Sequence, residues 1–280
     1  MNDTLTMTSA FFLKLRSVVI PALGLTLAGL LVGCASLPTS GERQSAEEER
    51  TPPATASRPA TPWDQASLRP DMLTPWLHRS FPGKASNQFS YLELDGRSAM
   101  GVKSSASASM LRKVVSIEPA QLDAVRFSWK VPTLITDADM ALRDKDDSPV
   151  RLVLAFDGER SKLSARDRML SELANALTGE DMPYATLMYA WCNQREPGSV
   201  VINPRTDRIR KLVLESGPKR LNRWIDYERD IRADYRQVFG EEPGRLIAVG
   251  IMTDTDNTKS SAEAWYGPVV LGPASAATNR

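Results

Sequence analysis

Short apolar runs separated by turn-forming residues dominate the chain from about residue 71 onward. Many of these runs alternate apolar and polar positions with a period of two, and Gly, Pro, Asp and Asn bound them, which is typical of β-strands. The pattern predicts strands at Phe89–Leu94, Ala99–Lys103, Arg112–Ile117, Ala124–Val131, Arg151–Phe156, Thr186–Cys192, Val200–Asn203, Ile209–Glu215, Ile247–Asp254 and Ala262–Leu271.

Two segments have helical spacing instead. The first begins at Ser164, where Asp167 is placed as in a capping box, and it ends before Gly179. The second runs from about Asp230 to Phe239 and ends at Gly240. The first helix carries a series of apolar side chains at helical intervals: Leu163, Met169, Leu170, Leu173 and Leu177.

Many short strands with few helices predict a fold dominated by β-structure. We expect a two-sheet antiparallel β-sandwich of the jelly-roll or lectin-like type, with two short inserted helices, over residues 71–272. No glycine-rich phosphate loop follows a strand, and β and α units do not alternate. A doubly wound nucleotide-binding fold is therefore disfavoured.

The first 33 residues have the order of regions found in a secretion signal. Lys14 and Arg16 precede an apolar run that ends in Leu31-Val32-Gly33-Cys34. This segment resembles a bacterial lipoprotein signal peptide, in which a small or aliphatic triplet is followed directly by cysteine. The resemblance implies cleavage just before Cys34 and a lipid on that residue, which would anchor the chain to a membrane. A retained membrane span is the alternative, but the run is shorter than the ~20 apolar residues that a span needs.

Residues 34–70 are predicted to be a disordered tether that begins with the lipidated cysteine. They are rich in Ser, Thr, Pro, Ala and charged residues, and such a segment cannot bury enough apolar surface to fold. The last residues, 273–280, have a similar composition and are predicted to be a disordered tail. Ala35 stands where many lipoproteins carry the Asp that retains them in the inner membrane, so the resemblance implies the outer membrane, facing the periplasm.

Composition narrows the chemistry that the domain can perform. The single histidine, His78, excludes any site that needs two imidazoles, and we expect it at the edge of the domain. Two cysteines exclude a four-cysteine zinc site, and lipidation of Cys34 would leave Cys192 alone, as a buried small apolar residue. The formal net charge of +1 lacks the basic excess that nucleic-acid binding requires, so we expect no nucleic-acid partner.

Five short motifs lie between Phe81 and Leu271. They are Phe127-Ser128-Trp129-Lys130-Val131, Asp146-Asp147, Tyr189-Ala190-Trp191, Ile251-Met252-Thr253-Asp254-Thr255-Asp256-Asn257-Thr258 and Ala264-Trp265-Tyr266-Gly267. Together they resemble the pattern of an uncharacterised family of secreted bacterial proteins, domain of unknown function 3047, over roughly that whole range. The resemblance implies a cell-envelope location and a β-sandwich, and it implies no activity.

A cluster of oxygen-bearing side chains directly follows the last long apolar strand. Asp254, Asp256 and Asn257 could ligate Ca²⁺, which prefers carboxylate, carbonyl and water oxygens. Asp146 and Asp147 form a second acidic group that would join the first only if the fold brings the two loops together. Two other roles stay open for these residues: turns in which side chains bond to their own backbone, and catalysis by carboxylates. The sequence requires no cofactor, and Ca²⁺ is the one that this loop could hold.

Aromatic residues are the second group of candidates, because sugar rings stack on exposed indole and phenol groups. Trp129 and Trp191 lie on apolar strand faces, so we expect them in the core. Tyr266, beside the polar loop, and Tyr189 are the predicted ligand-contacting aromatics.

Together these features predict a cell-envelope lipoprotein whose β-sandwich binds a glycan or a similar polar ligand, with Ca²⁺ as a candidate aid to binding. The sequence favours a protein without catalytic activity. One alternative is a carbohydrate-active hydrolase or lyase that uses carboxylates or tyrosine, because histidine is so scarce. Another is an envelope scaffold that binds a second envelope protein.

Overall fold

Alternating burial along the strands builds two sheets that face each other. The computed structural model describes residues 60–67 and 75–273. In chain order, the elements are α1 Pro62–Ala66, β1 Leu77–Ser80, β2 Gln88–Leu94, β3 Arg97–Ser105, β4 Ala108–Ile117, β5 Ala124–Lys130, β6 Ser148–Phe156, α2 Ala165–Thr178, β7 Ala185–Cys192, β8 Val200–Ile202, β9 Ile209–Ser216, β10 Ile225–Asp230, α3 Ile231–Phe239, β11 Leu246–Asp254, β12 Ser261–Tyr266 and β13 Val270–Gly272. The prediction of an all-β sandwich is confirmed for this part of the chain, with α2 and α3 as the two predicted helices and α1 as a third.

Sheet A has seven strands in the order β1-β4-β11-β6-β7-β9-β8. Sheet B has the order β10-β5-β12-β3-β2, and β13 also pairs with β5. The pairings are antiparallel except between β7 and β9, which run parallel. They can do so because the segment between them forms β8, which pairs antiparallel with the outer side of β9 and reverses the chain direction.

The main core lies between the two sheets. On β6, Leu152 and Leu154 point inward, while Arg151, Val153 and Ala155 reach the opposite face of sheet A. Trp129 and Trp191 are fully buried in this core, as the apolar strand faces predicted. Cys192 is also buried, in a smaller apolar cluster.

Helices α2 and α3 begin and end within a residue of their predicted positions. The Ser164 hydroxyl accepts a hydrogen bond from the Asp167 backbone N–H, and Gly179 ends α2 in the left-handed conformation. Most of the predicted apolar series stays out of the core, since Met169, Leu173 and Leu177 are each more than half exposed. Leu163, just before the helix, is buried in the main core.

The prediction that residues 34–70 form a disordered tether is wrong for α1 and the residues beside it. Trp63 is completely buried in the main core, and its indole N–H donates to the carbonyl oxygen of Tyr266 at 2.9 Å. The Ser67 hydroxyl accepts from the backbone N–H of Val269. Residues 61–67 are therefore part of the domain. The predicted signal peptide, Cys34, the predicted tether at residues 34–59 and 68–70, and the predicted tail from residue 274 lie outside the described residues.

Candidate functional site

The outer face of sheet A, which is turned away from sheet B, carries a groove of about 620 Å³. Apolar side chains of neighbouring strands form its floor. Residues that pair in register lie on the same face of the sheet, so these side chains are next to each other. Val153 on β6 pairs with Met188 on β7, and Met252 on β11 pairs with Met110 on β4. Helix α2 and the segment that follows it form one wall, through residues such as Ala174. A cavity of this size can hold a small ligand or a short oligomer.

Buried charges occupy one end of the groove. Arg151 lies in the largely apolar strand β6, and Lys211 lies in β9. Their side chains are only 4% and 1% exposed. Both donate to Asp146, which precedes β6: Arg151 Nη2 lies 2.9 Å from Asp146 Oδ1, and Lys211 Nζ lies 2.7 Å from each carboxylate oxygen. Charge-assisted hydrogen bonds of this kind are what allow charged groups to stay buried.

Three further carboxylates converge beside this ion-pair network. Asp147, Asp254 and Asp256 each place an oxygen within 4.8 Å of the others. Arg151 Nη1 donates to Asp254 Oδ2 at 2.9 Å. Asp254 Oδ1 is buried and has no hydrogen-bond partner among the described residues. The arrangement therefore concentrates negative charge at the end of the groove.

Hydrogen bonds between two loops hold Asp147 in this cluster. Its carboxylate accepts from the backbone N–H groups of Asn257 and Thr258, at 3.2 and 2.7 Å, and from the Thr258 hydroxyl at 2.6 Å. Asn257 Nδ2 in turn donates to the backbone carbonyl of Arg143. Asp147 thus bonds to the backbone of a distant loop, and the two acidic groups predicted from the sequence meet in space.

Burial shifts the acid–base behaviour of two groups at this end of the groove. It raises the pKa of Asp254 to about 6, and the nearby carboxylates of Asp146 and Asp147 act in the same direction, against Arg151. It lowers the pKa of Lys211 to about 8, and the positive charge of Arg151 adds to this effect while Asp146 opposes it. Perturbed ionisable groups in a cleft are a general mark of functional sites.

The structure brings most of the predicted site residues to this groove. Asp146, Asp254, Asp256 and Asn257 line it, and Asp147 is bonded behind them. Their role in binding stays a prediction.

Tyr189 and Tyr266, predicted to contact a ligand, lie instead in the core between the sheets. The Tyr266 hydroxyl donates to the Met252 carbonyl oxygen at 2.6 Å, and the Tyr189 hydroxyl donates to Asp234 Oδ2 at 2.8 Å. Both rings are fully buried, so the prediction that they stack on a ligand is wrong. Large aromatics with a satisfied hydroxyl are well suited to a sandwich core.

Sequence reasoning missed the cations of the site: Arg151, Lys211 and Lys84, the last of which forms an ion pair with Asp256. A signal was present for the first two. Each interrupts a strand that is otherwise apolar on that side, and a charge in such a place must find a partner. Lys84 lies in the loop between β1 and β2, where nothing in the sequence pattern distinguishes it.

Comparison with known proteins identifies a family. A family model described as "Protein of unknown function (DUF3047)" matches residues 74–270. The chain belongs to this family. The match covers most of the chain and agrees with the resemblance seen in the sequence. A comparison with curated proteins found no match.

Among solved structures, the chain is similar to the xyloglucanase domain of NopAA, a type three effector from Sinorhizobium fredii, in complex with cellobiose. The identity is 9%, the TM-score is 0.35, and the alignment covers 70% of this chain and 92% of that chain. Within residues 60–67 and 75–273, none of the helices is both long enough and apolar enough to cross a membrane.

Proposed function

We propose that this chain is a cell-envelope lipoprotein that binds a glycan in the groove on sheet A, without cleaving it. The observation that carries the proposal is the combination within one groove of an apolar floor and a charged end. The lipid on Cys34, and with it the location at the periplasmic face of the outer membrane, rests on the signal-peptide resemblance.

The chemistry of the groove suits a sugar chain in two respects. The side chains of Met110, Val153 and Met188 offer an apolar surface to the C–H faces of sugar rings. Amide and carboxylate groups at the end, such as Asn257 and Asp256, can donate to and accept from sugar hydroxyls. Apolar walls with a few convergent polar groups are the usual composition of a ligand site. With Tyr189 and Tyr266 in the core, the floor of methionine and valine takes the place of aromatic stacking.

Thermal unfolding of the full chain with envelope glycans tests the proposal. Soluble peptidoglycan fragments and lipopolysaccharide oligosaccharides are the probes. A ligand present at 100 times its Kd stabilises the folded state by about 2.7 kcal/mol. We expect one of these classes to raise the unfolding temperature of the wild-type chain.

Two variants locate the binding. Met110→Trp fills the groove from its floor and should remove the shift, whereas Leu173→Trp, on the exposed side of α2 and away from the groove, should keep it. Shifts of equal size in both variants would place the ligand elsewhere. Absence of any shift with all glycans would overturn the proposal and favour the scaffold alternative.

The hydrolase or lyase alternative makes a different prediction for the same samples. Incubation with a bound glycan would release new reducing ends, which a colorimetric assay measures. We expect none to form.

A further inference from the structure

The charges at the end of the groove do not fully cancel. Asp146 is paired with both Arg151 and Lys211, and Asp256 is paired with Lys84. Asp147 accepts only neutral N–H and O–H donors in the contacts described for it. Counting these residues together with Asp254, four carboxylates face three cations, so the network has a formal charge of −1.

One carboxylate oxygen of this network has no hydrogen-bond partner among the described residues. Asp254 is bonded to Arg151 through Oδ2, whereas Oδ1 is buried with no partner among the described residues. The side chain is 8% exposed, so bulk water does not satisfy that oxygen. A buried acceptor without a donor is destabilising unless water or an ion occupies the space beside it.

We propose that Asp147, Asp254 and Asp256 bind a divalent cation, Ca²⁺, through the three carboxylate oxygens that lie within 4.8 Å of one another. In this proposal Asp254 binds the cation through Oδ1, which gives that buried oxygen a partner, and the cation screens the repulsion between the three carboxylates. The donor set is all oxygen, which selects a hard cation. Ca²⁺ fits better than Mg²⁺ because it accepts several carboxylates in irregular geometry, whereas Mg²⁺ demands a near-ideal octahedron and retains its water.

The structure assigns the ligands differently from the sequence. Asn257 was the third candidate ligand, but the third carboxylate that converges with Asp254 and Asp256 is Asp147. The backbone N–H of Asn257 donates to Asp147, and its side-chain Nδ2 donates to the backbone carbonyl of Arg143. Asn257 and Thr258 therefore position Asp147, which takes the third place.

Lys84 acts as a competitor for the cation. Its ammonium pairs with Asp256, and its side chain is one-third exposed, so it can swing into solvent when a metal ion takes its place. Asp254 and Asp256 line the groove, which gives the ion a path to the site. The site lies within the proposed binding groove, but it does not depend on a glycan being the ligand.

Isothermal titration calorimetry of the full chain, stripped of metal with a chelator, tests the site. We expect CaCl₂ to give one saturable binding event, with weaker binding of MgCl₂.

Asp147→Asn should weaken Ca²⁺ binding by at least ~10-fold, because the number of charged ligands sets the affinity of such sites. Lys84→Ala should raise the affinity for Ca²⁺ roughly several-fold, because the competing positive charge is removed. Asp226→Asn, which changes an exposed carboxylate on β10, is the matched control and should bind as the wild type does.

Lys84→Ala keeps the test valid if a carboxylate variant fails to fold, since this side chain is largely outside the core. No heat of Ca²⁺ binding in either the wild type or Lys84→Ala would overturn the proposal. So would unchanged affinity in a folded Asp147→Asn chain, and tighter binding of Mg²⁺ would overturn the choice of Ca²⁺. Repeating the glycan unfolding assay in chelator separates the two proposals: a glycan shift without metal binding would leave the groove function standing alone.

Discussion

At the scale of single residues, buried charge defines the candidate site. Every residue of β6 is buried, and Arg151 is the one charged side chain among them. Burial by itself would lower the pKa of Arg151. The carboxylates of Asp146 and Asp254 act against this and raise the pKa, so the guanidinium stays ionised. Removing one partner from such a network costs roughly 3–5 kcal/mol. The carboxylates could be read from the sequence as a cluster, but their pairing depends on strands far apart in the chain.

His78 allows a clean test of pH dependence, since it is the only imidazole in the protein. It lies on edge strand β1, where Nε2 is 2.8 Å from Ser109 Oγ and the ring packs edge-on against Phe89. Burial lowers its pKa below the ordinary value of 6.5, so the unfolded chain binds a proton more readily than the folded one. Stability should therefore fall as the pH drops below 6.5, until the folded-state pKa is passed.

The comparison of wild type with His78→Gln isolates this effect from that of the carboxylates. Urea unfolding between pH 7.5 and pH 5 should show a steeper loss of stability in the wild type. Parallel curves for the two chains would contradict the assigned direction of the shift.

At the scale of elements, local signals predicted what local interactions determine. The boundaries of α2 follow from the Ser164 cap and from Gly179, both of which act within one turn. Strands β1 and β10 were missed because they are short and carry charge: β10 reads Ile-Asp-Tyr-Glu-Arg-Asp and lies at the edge of sheet B. Edge strands tolerate such sequences because one side of the strand is open to water.

Helix α1 is the element whose role differs most from the prediction. It has five residues, and propensity alone would not stabilise it. Trp63 does so by filling the core, where it contacts Trp76 at 4.9 Å between ring centroids and bonds to Tyr266.

We expect Trp63→Ala to destabilise the full chain by about 3–5 kcal/mol, the range for losing a buried large aromatic side chain. Urea denaturation followed by fluorescence measures this change. Trp224→Ala removes a partly exposed indole and should cost clearly less. Equal costs for the two variants would mean that α1 is not anchored in the core.

At the scale of the whole molecule, the lipid anchor and the groove belong together in the proposed function. The anchor would hold the domain at the membrane, and the segment up to residue 59 would let the groove reach glycans at a distance from it. As the tether predicted from the sequence, residues 34–59 would span at most several tens of ångströms at ~3.3–3.6 Å per residue.

Cys34→Ser tests the anchor directly. In bacterial cells we expect the wild-type chain to partition into the membrane fraction and to carry the mass of a lipidated, processed protein. The variant should lose both the added mass and the membrane partitioning. An unchanged mass and distribution in the variant would refute lipidation at this residue.

The sequence by itself determined the β-sandwich class, the family, most strand positions and the two longer helices. The strands and helices follow from alternation, capping and turn residues, which act between neighbours along the chain, whereas the family follows from the resemblance of the motifs. Tertiary structure alone decided that Asp147 meets Asp254, that Arg151 and Lys211 neutralise Asp146, and that Tyr189 and Tyr266 face the core. Each of these depends on which strands become neighbours and which face of a sheet is covered. The sequence pattern leaves that choice open. Alternation along a strand shows which residues share a face of the sheet, but it does not show what packs against that face.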